Sequence, residues 1–235
     1  MAGKVVNTLS DAVKYINVLY NTSSTPPNPG EEDYIIWTQL LNISISNWES
    51  EEGMNWRELF AKLADAPDGD KTTTTSNSYV LPVLFKFPNA NFVWLGDGTQ
   101  KTAYRVIRQE DINLYTNDAE NWCYFQMDGS PTLEFNPNLG MVAGQTITYN
   151  YYKYASSVSA ATDVFDMSDP MYAVYYALSE LKSDEGDTRS IQMAMKRLEA
   201  MKTLNFETAE HQKDNTLSPI GNGFGTIGNY PITKS

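Results

Sequence analysis

Between Tyr79 and Tyr154 apolar residues alternate with polar ones, whereas on either side they recur at helical spacing. A chain written this way has to close a β-structure between two groups of helices. Each helical group is amphipathic and too small to bury its own stripe, so the two are expected to pack together. The expected strands are Tyr79–Phe87, Asn91–Leu95, Ala103–Ile107, Trp122–Met127, Thr132–Phe135 and Gln145–Lys153. Gly96-Asp97-Gly98 and Asp128-Gly129 supply hairpin chemistry, and Pro82 has to fall at a strand end or on an edge. Short strands with turns between them predict an antiparallel β-sandwich or barrel.

The helices are bounded by recognisable signals. Thr8 and Asp11 cap a first helix through Tyr20, with Leu9, Val13, Ile16 and Leu19 or Tyr20 facing inward. Pro26, Pro27, Pro29 and Gly30 prevent its continuation. A second helix opens on Glu31, Glu32 and Asp33, which suit the positive end of a helix dipole. Its stripe is Ile36 or Trp37, Leu40, Leu41, Ile43 or Ser44, and Trp48. Asn55 and Glu58 have capping-box spacing and predict a third short helix that buries Trp56, Leu59, Phe60 and Leu63. After the β-region, Asp169 and Pro170 start a helix with Met171, Val174, Tyr175, Leu178 and Leu181 on one face, and Gly186 stops it. Asp187 or Thr188 caps a last helix with Ile191, Ala194, Met195, Leu198 and Met201 inside, so the two form an antiparallel hairpin. Beyond Leu204 glycines separate the single apolar residues Ile220, Phe224, Ile227, Tyr230 and Ile232, which suits an extended arm docking into a partner's groove.

The expected fold class is therefore α+β. Residues 1–65 hold the N-terminal helices, 66–78 a linker, 79–155 the inserted β-domain, 156–204 the helical hairpin that completes the bundle, and 205–235 the arm.

Charge and composition narrow the chemistry. Lys and Arg number 17 against 29 Asp and Glu, a net charge of −12, which argues against a sequence-reading nucleic-acid binder. It suits a surface along which DNA slides without sticking. A lone cysteine, Cys123, and a lone histidine, His211, leave no disulfide framework, multi-Cys metal site or Ser-His-Asp triad. No apolar run approaches the roughly 20 residues of a membrane helix, and the N-terminus does not read as a signal peptide.

The motifs weigh toward structure. Gly221-Asn222-Gly223 neither follows a buried strand nor opens a helix, so it fails the context of a phosphate loop. Asp163, Asp166 and Asp169 read as caps and turn formers before they read as metal ligands, and Asp65, Asp68 and Asp70 lack EF-hand spacing. The β-region tyrosines and tryptophans suit core and interface packing better than sugar stacking. Cys123 reads as an inert packing residue. Neither metal nor cofactor is expected. Glu49, Glu51, Glu52, Asp184 and Glu185 fall near helix ends, as solvated faces or as the negative lumen of a ring.

Three passages carry a likeness to a known family. EEDYIIWTQLLNISISNWESEEGMNWRELF has acids before a helix and a Trp-rich helix after it, and YVLPVLFKFPNANFVWLGDG reads as a first hairpin. QTITYNYYKYASSVSAATDVFDMSDPMYAVYYALSELKSDEGD joins a Tyr-rich strand, an acidic linker, a proline-started helix and an acid-glycine turn. From residue 31 to about 204, this order resembles the head-to-tail adaptor (connector) proteins of tailed bacteriophages that carry an inserted β-domain. The resemblance implies a structural virion protein of the neck, made in the host cytoplasm, and not an enzyme. It implies a ring, usually dodecameric, that docks under the portal protein and prolongs its DNA channel. The same ring offers a platform to tail proteins such as nozzle, tube or stopper, and the arm engages the portal. Genomic DNA would pass without specific binding, and no membrane is involved. A competing reading is a minor tail, baseplate or host-binding protein whose β-domain recognises a glycan or receptor. An isolated carbohydrate-binding module explains the flanking helices poorly.

Overall fold

Helix α1, Leu9–Tyr20, starts at the predicted cap. Thr8 Oγ accepts from the Asp11 N–H at 3.2 Å and the Thr8 N–H donates to Asp11 Oδ2 at 3.1 Å, a complete capping box. The computed structural model describes residues 6–115, 120–186 and 188–206. The chain divides into a helical unit, residues up to Met54 and from Ser157 on, and a β-unit, Asn55–Ser156.

In the helical unit α2 is Glu32–Glu49, α4 is Met171–Leu181 and α5 spans residues 188–206. Helix α4 packs on both α1 and α2. Leu9, Val13 and Ile16 of α1, Trp37, Leu41 and Trp48 of α2, and Val174, Ala177 and Leu178 of α4 are buried, as are Ala194, Leu198 and Met201 of α5. The sequence on both sides of the insertion is stitched together by backbone. Leu9 N donates to Asp163 O at 2.9 Å and Ser10 N to Ala161 O at 3.0 Å, so first-turn N–H groups of α1 find partners in the returning segment. Asn42 reads the same segment like a strand neighbour. Its amide donates to Val158 O and accepts from Val158 N, both at 2.9 Å. Asp169 Oδ1 accepts from the Met171 N–H at the start of α4, and its Oδ2 takes Arg197 Nη1 of α5 at 2.6 Å. The Gly186 backbone adopts φ +69° just past the 3-10 turn Ser183–Glu185, a left-handed stop that glycine enters without strain.

The predicted third helix does not form. Trp56 is extended, Arg57–Leu59 is a single 3-10 turn, and Phe60–Lys62 is strand β1, paired antiparallel with β9, Asn150–Lys153. The Asn55/Glu58 spacing is overridden because the open edge of β9 needs backbone partners, and the short stretch stabilises a helix weakly. Trp56 and Phe60 consequently belong to the β-unit and not to the bundle. The same unit takes in residues 66–78, where Ala66 and Thr73 are buried.

The β-unit holds two sheets. The smaller runs β1-β9-β3, with β3 Phe85–Pro88. The larger contains β2 Ser78–Val80, β4 Phe92–Gly96, β5 Lys101–Val106, β6 Trp122–Gln126, β7 Thr132–Phe135 and β8 Thr146–Thr148. Its order is β2-β7-β6-β5-β4-β8. One stretch of chain ties both ends of that order together. Thr72 bridges Thr146 at the start of β8, with Thr73 N donating to Gln145 O and Ile147 N to Lys71 O at 2.8 Å, and the chain then enters β2 at the opposite edge. The sheet therefore curls, and its edges are covered.

The long first and last strands of the sequence reading are each broken. Around Pro82 the chain leaves the large sheet (β2) for the small one (β3), and at Tyr149 it does the same from β8 to β9. The Phe85 ring is stacked 5.3 Å from both Phe125 and Tyr151. The expectation of a wholly antiparallel domain is also corrected: β5 and β6 pair in parallel. The connection between them contains the 3-10 turn Gln109–Asp111 and α3, Ile112–Tyr115, which supplies the crossover that parallel strands require.

In the β4–β5 hairpin a Cβ on Gly96 would lie 2.2 Å from the Gln100 carbonyl oxygen. Gly96→Ala is expected to cost about 1–3 kcal/mol through the backbone shift it forces. Urea unfolding followed by tryptophan fluorescence checks it, and an unchanged midpoint would contradict the close approach.

Candidate assembly surfaces

Helix α2 is apolar on more than one face. Tyr34, Trp37, Leu41, Ser44, Ile45 and Trp48 point into the core, where α4 meets them. Ile36, Leu40 and Ile43 follow the same i, i+4, i+7 spacing about a third of a turn away. Ile36 and Ile43 are 39% and 49% exposed, and Leu40 is half-buried. Exposed Val18, Leu19 and Tyr20 end α1, with the Tyr20 ring edge-on to Trp37 at 6.5 Å. The periodicity of the sequence admits both stripes of α2 and signals the outer one only as an alternative to the inner one.

The five acids of the sequence reading separate into two groups. Glu49, Glu51 and Glu52 lie at the C-terminal end of α2, where Lys202 of α5 pairs with Glu51 at 2.6 Å and Glu199 at 3.0 Å. Tyr172 at the start of α4 is buried there, and burial first, then Tyr176 and Glu51, push its phenol up to about 12. Asp184 and Glu185 are exposed in the turn that ends α4. At the same end of α4, Lys182 Nζ donates to Leu19 O at the close of α1. The ten-residue rise from Tyr172 to Lys182 puts about 15 Å between the groups. Glu52 is exposed and Glu49 half-buried. The arm residues Ile220, Phe224, Ile227, Tyr230 and Ile232 lie outside the described residues.

The remaining candidates have structural duties. The backbone N–H groups of Ser159 and Ala160 donate to Asp163 Oδ2 at 2.7 and 2.8 Å and hold its carboxyl below the usual carboxylate range. Asp70 Oδ2 accepts from Val80 N at 2.7 Å, and Asp68 accepts from Val83 N. Among the described residues no three His, Cys, Asp or Glu side chains are grouped to hold a metal ion, and no helix is long and apolar enough to cross a membrane. Cys123 is fully buried in the β-core, and burial pushes its thiol far up, which removes the reactive thiolate.

On the β-unit two aromatic groups face solvent. Phe60, Tyr152 and Phe87 form a row across β1, β9 and β3, with ring centroids 5.8 and 5.1 Å apart. Phe92 and Trp94 stand side by side on β4, 6.2 Å apart.

Set against known proteins, residues 7–220 match the family model described as SU10 adaptor protein. No curated protein matches the chain.

Proposed function

The chain belongs to the SU10 adaptor protein family, a family of virion-associated phage adaptors, and from that premise we propose that it assembles as a dodecameric ring at the neck, below the portal. The ring prolongs the DNA channel and presents a platform to tail proteins. The role is structural and not catalytic, and the chain is made in the host cytoplasm before assembly. The observation that carries the ring is the outer stripe of α2. Ile36, Leu40 and Ile43 form a second helical face that the subunit's own core covers only in part. In a closed ring each subunit offers that face to a different surface of the next, a heterologous contact satisfied at every position.

Acids at both ends of the bundle support a lumen that repels phosphate. Glu49, Glu51 and Glu52 would line it at one level and Asp184 and Glu185 at another, so DNA slides without counterion-release binding. The arm, residues 205–235, is proposed to dock on the portal through Ile220, Phe224, Ile227, Tyr230 and Ile232. Its many copies act together, so modest affinity per arm suffices.

One experiment tests the whole arrangement. Purified portal is mixed with full-length protein or with protein truncated after Leu204, and the assemblies are imaged by electron microscopy. The expected image is a twelvefold ring with both acid groups on the channel wall, formed only by the full-length chain. Equal binding by the truncated chain removes the arm's role, and acids on the outer wall remove the lumen's.

A further inference from the structure

We infer that the β-unit carries an oligosaccharide-binding cleft on its outer face, floored by Phe92 and Trp94. Strand alternation makes these rings face outward, because Val93 and Leu95 between them fill the core. Phe92 is 45% exposed and Trp94 41%, and their planes are tilted by 49°. A hollow of about 590 Å³ opens over them, walled by Asn89, Asn91, Asn150, Lys101 and Thr148. Register sets Arg105 opposite Phe92 and Lys101 opposite Gly96, so a cation stands on β5 toward each end of the aromatic floor. None of the side-chain amides of Asn89, Asn91 and Asn150, nor the Lys101 ammonium, makes a hydrogen bond or ion pair among the described residues.

That combination selects a ligand class. A pyranose ring presents a face of C–H groups, which an aromatic ring covers, and a rim of hydroxyls that both donate and accept. Each asparagine amide also donates and accepts, and so meets hydroxyls where a carboxylate or ammonium meets only one half of them. Concave sites with an apolar floor and a few convergent polar groups are the usual form of small-molecule pockets. Lys101 on the wall extends the fit to sugars that bear a carboxylate, and Arg105 stands outside the hollow on the same strand. Single-stranded nucleic acid would also stack on the rings, but it needs a continuous basic groove. Here two cations flank the floor in a chain of net charge −12.

The test titrates full-length protein with maltohexaose and with an oligogalacturonate of equal length, followed by tryptophan fluorescence and calorimetry. An oligothymidylate serves as the rival ligand. Saturable binding of at least one sugar is expected in the millimolar range or tighter, with a loss of about tenfold or more in Trp94→Ala. Asn91→Ala, which truncates an exposed side chain, gives the same direction of loss should Trp94→Ala perturb the fold. Preference for the oligogalacturonate, lost in Lys101→Gln, assigns the cleft to acidic sugars; equal binding of both assigns it to sugars in general. Absence of saturable sugar binding, or binding unchanged in both Trp94→Ala and Asn91→Ala, overturns the inference. So does Trp94-dependent binding of the oligothymidylate alone. The free subunit is the analyte, so failure of ring assembly leaves this result intact.

Discussion

Joint replacement of Ile36 and Ile43 by aspartate is expected to abolish ring formation on the portal while the subunit stays folded. Both side chains are partly exposed in the subunit, at 39% and 49%, so the loss of stability should stay at or below about 3 kcal/mol, short of unfolding it. In the assembled ring the same positions are to be buried. There each substitution forfeits the part of its apolar burial that assembly would add, about 1 kcal/mol, and adds the larger cost of desolvating a carboxylate. Every interface of a closed ring carries the loss, so intermediate occupancy is not expected. Native mass measurement of the portal mixture reads the outcome, with far-UV circular dichroism as the control for folding. Rings at wild-type yield would show that the outer stripe is not the subunit contact.

On the inner stripe of the same helix, Trp37→Ala should destabilise the helical unit by about 3–5 kcal/mol. Trp37 is 1% exposed and holds the Tyr20 ring edge-on, so truncation leaves a cavity and removes an aromatic partner. Domains are stable by about 5–15 kcal/mol, so the loss is a large share of the total. Urea unfolding monitored by circular dichroism measures it. A change below about 1 kcal/mol would contradict the inner position of Trp37. Position 37 should govern stability and position 36 assembly.

The difference between those two residues marks what a sequence can carry. Local signals determined much of this protein. The Thr8–Asp11 box, the proline-rich break, the stop at Gly186 and the period-two run each rest on contacts a few residues apart, and each appears in the fold. The insertion of a β-unit between helices followed from the change of period alone. The absence of clustered His and Cys left only weak candidates for chemistry, and the functional reading rested on the order of elements and on the resemblance that order carries.

Tertiary structure decided the rest, wherever two local solutions were nearly equal. Stripes through Ile36 and through Trp37 both satisfy helical spacing, and the packing of α4 against α2 chooses the second. Residues 57–62 carry helix signals, yet the edge of β9 holds Phe60–Lys62 as strand because open strand edges demand partners. The passage at Tyr149 from one sheet to the other, and the parallel pairing of β5 with β6, are long-range events with no short-range mark. The acids near helix ends read as one group because sequence does not say which ends meet. Helix α4 separates Glu51 from Asp184 by its own length. The sequence reading placed the tryptophans of the β-region in core or interface packing and did not single out Phe92; the outward side of Phe92 and Trp94 was settled only when Val93 and Leu95 met the core. Periodicity is a property of a segment, whereas direction, partner and register belong to the assembled chain.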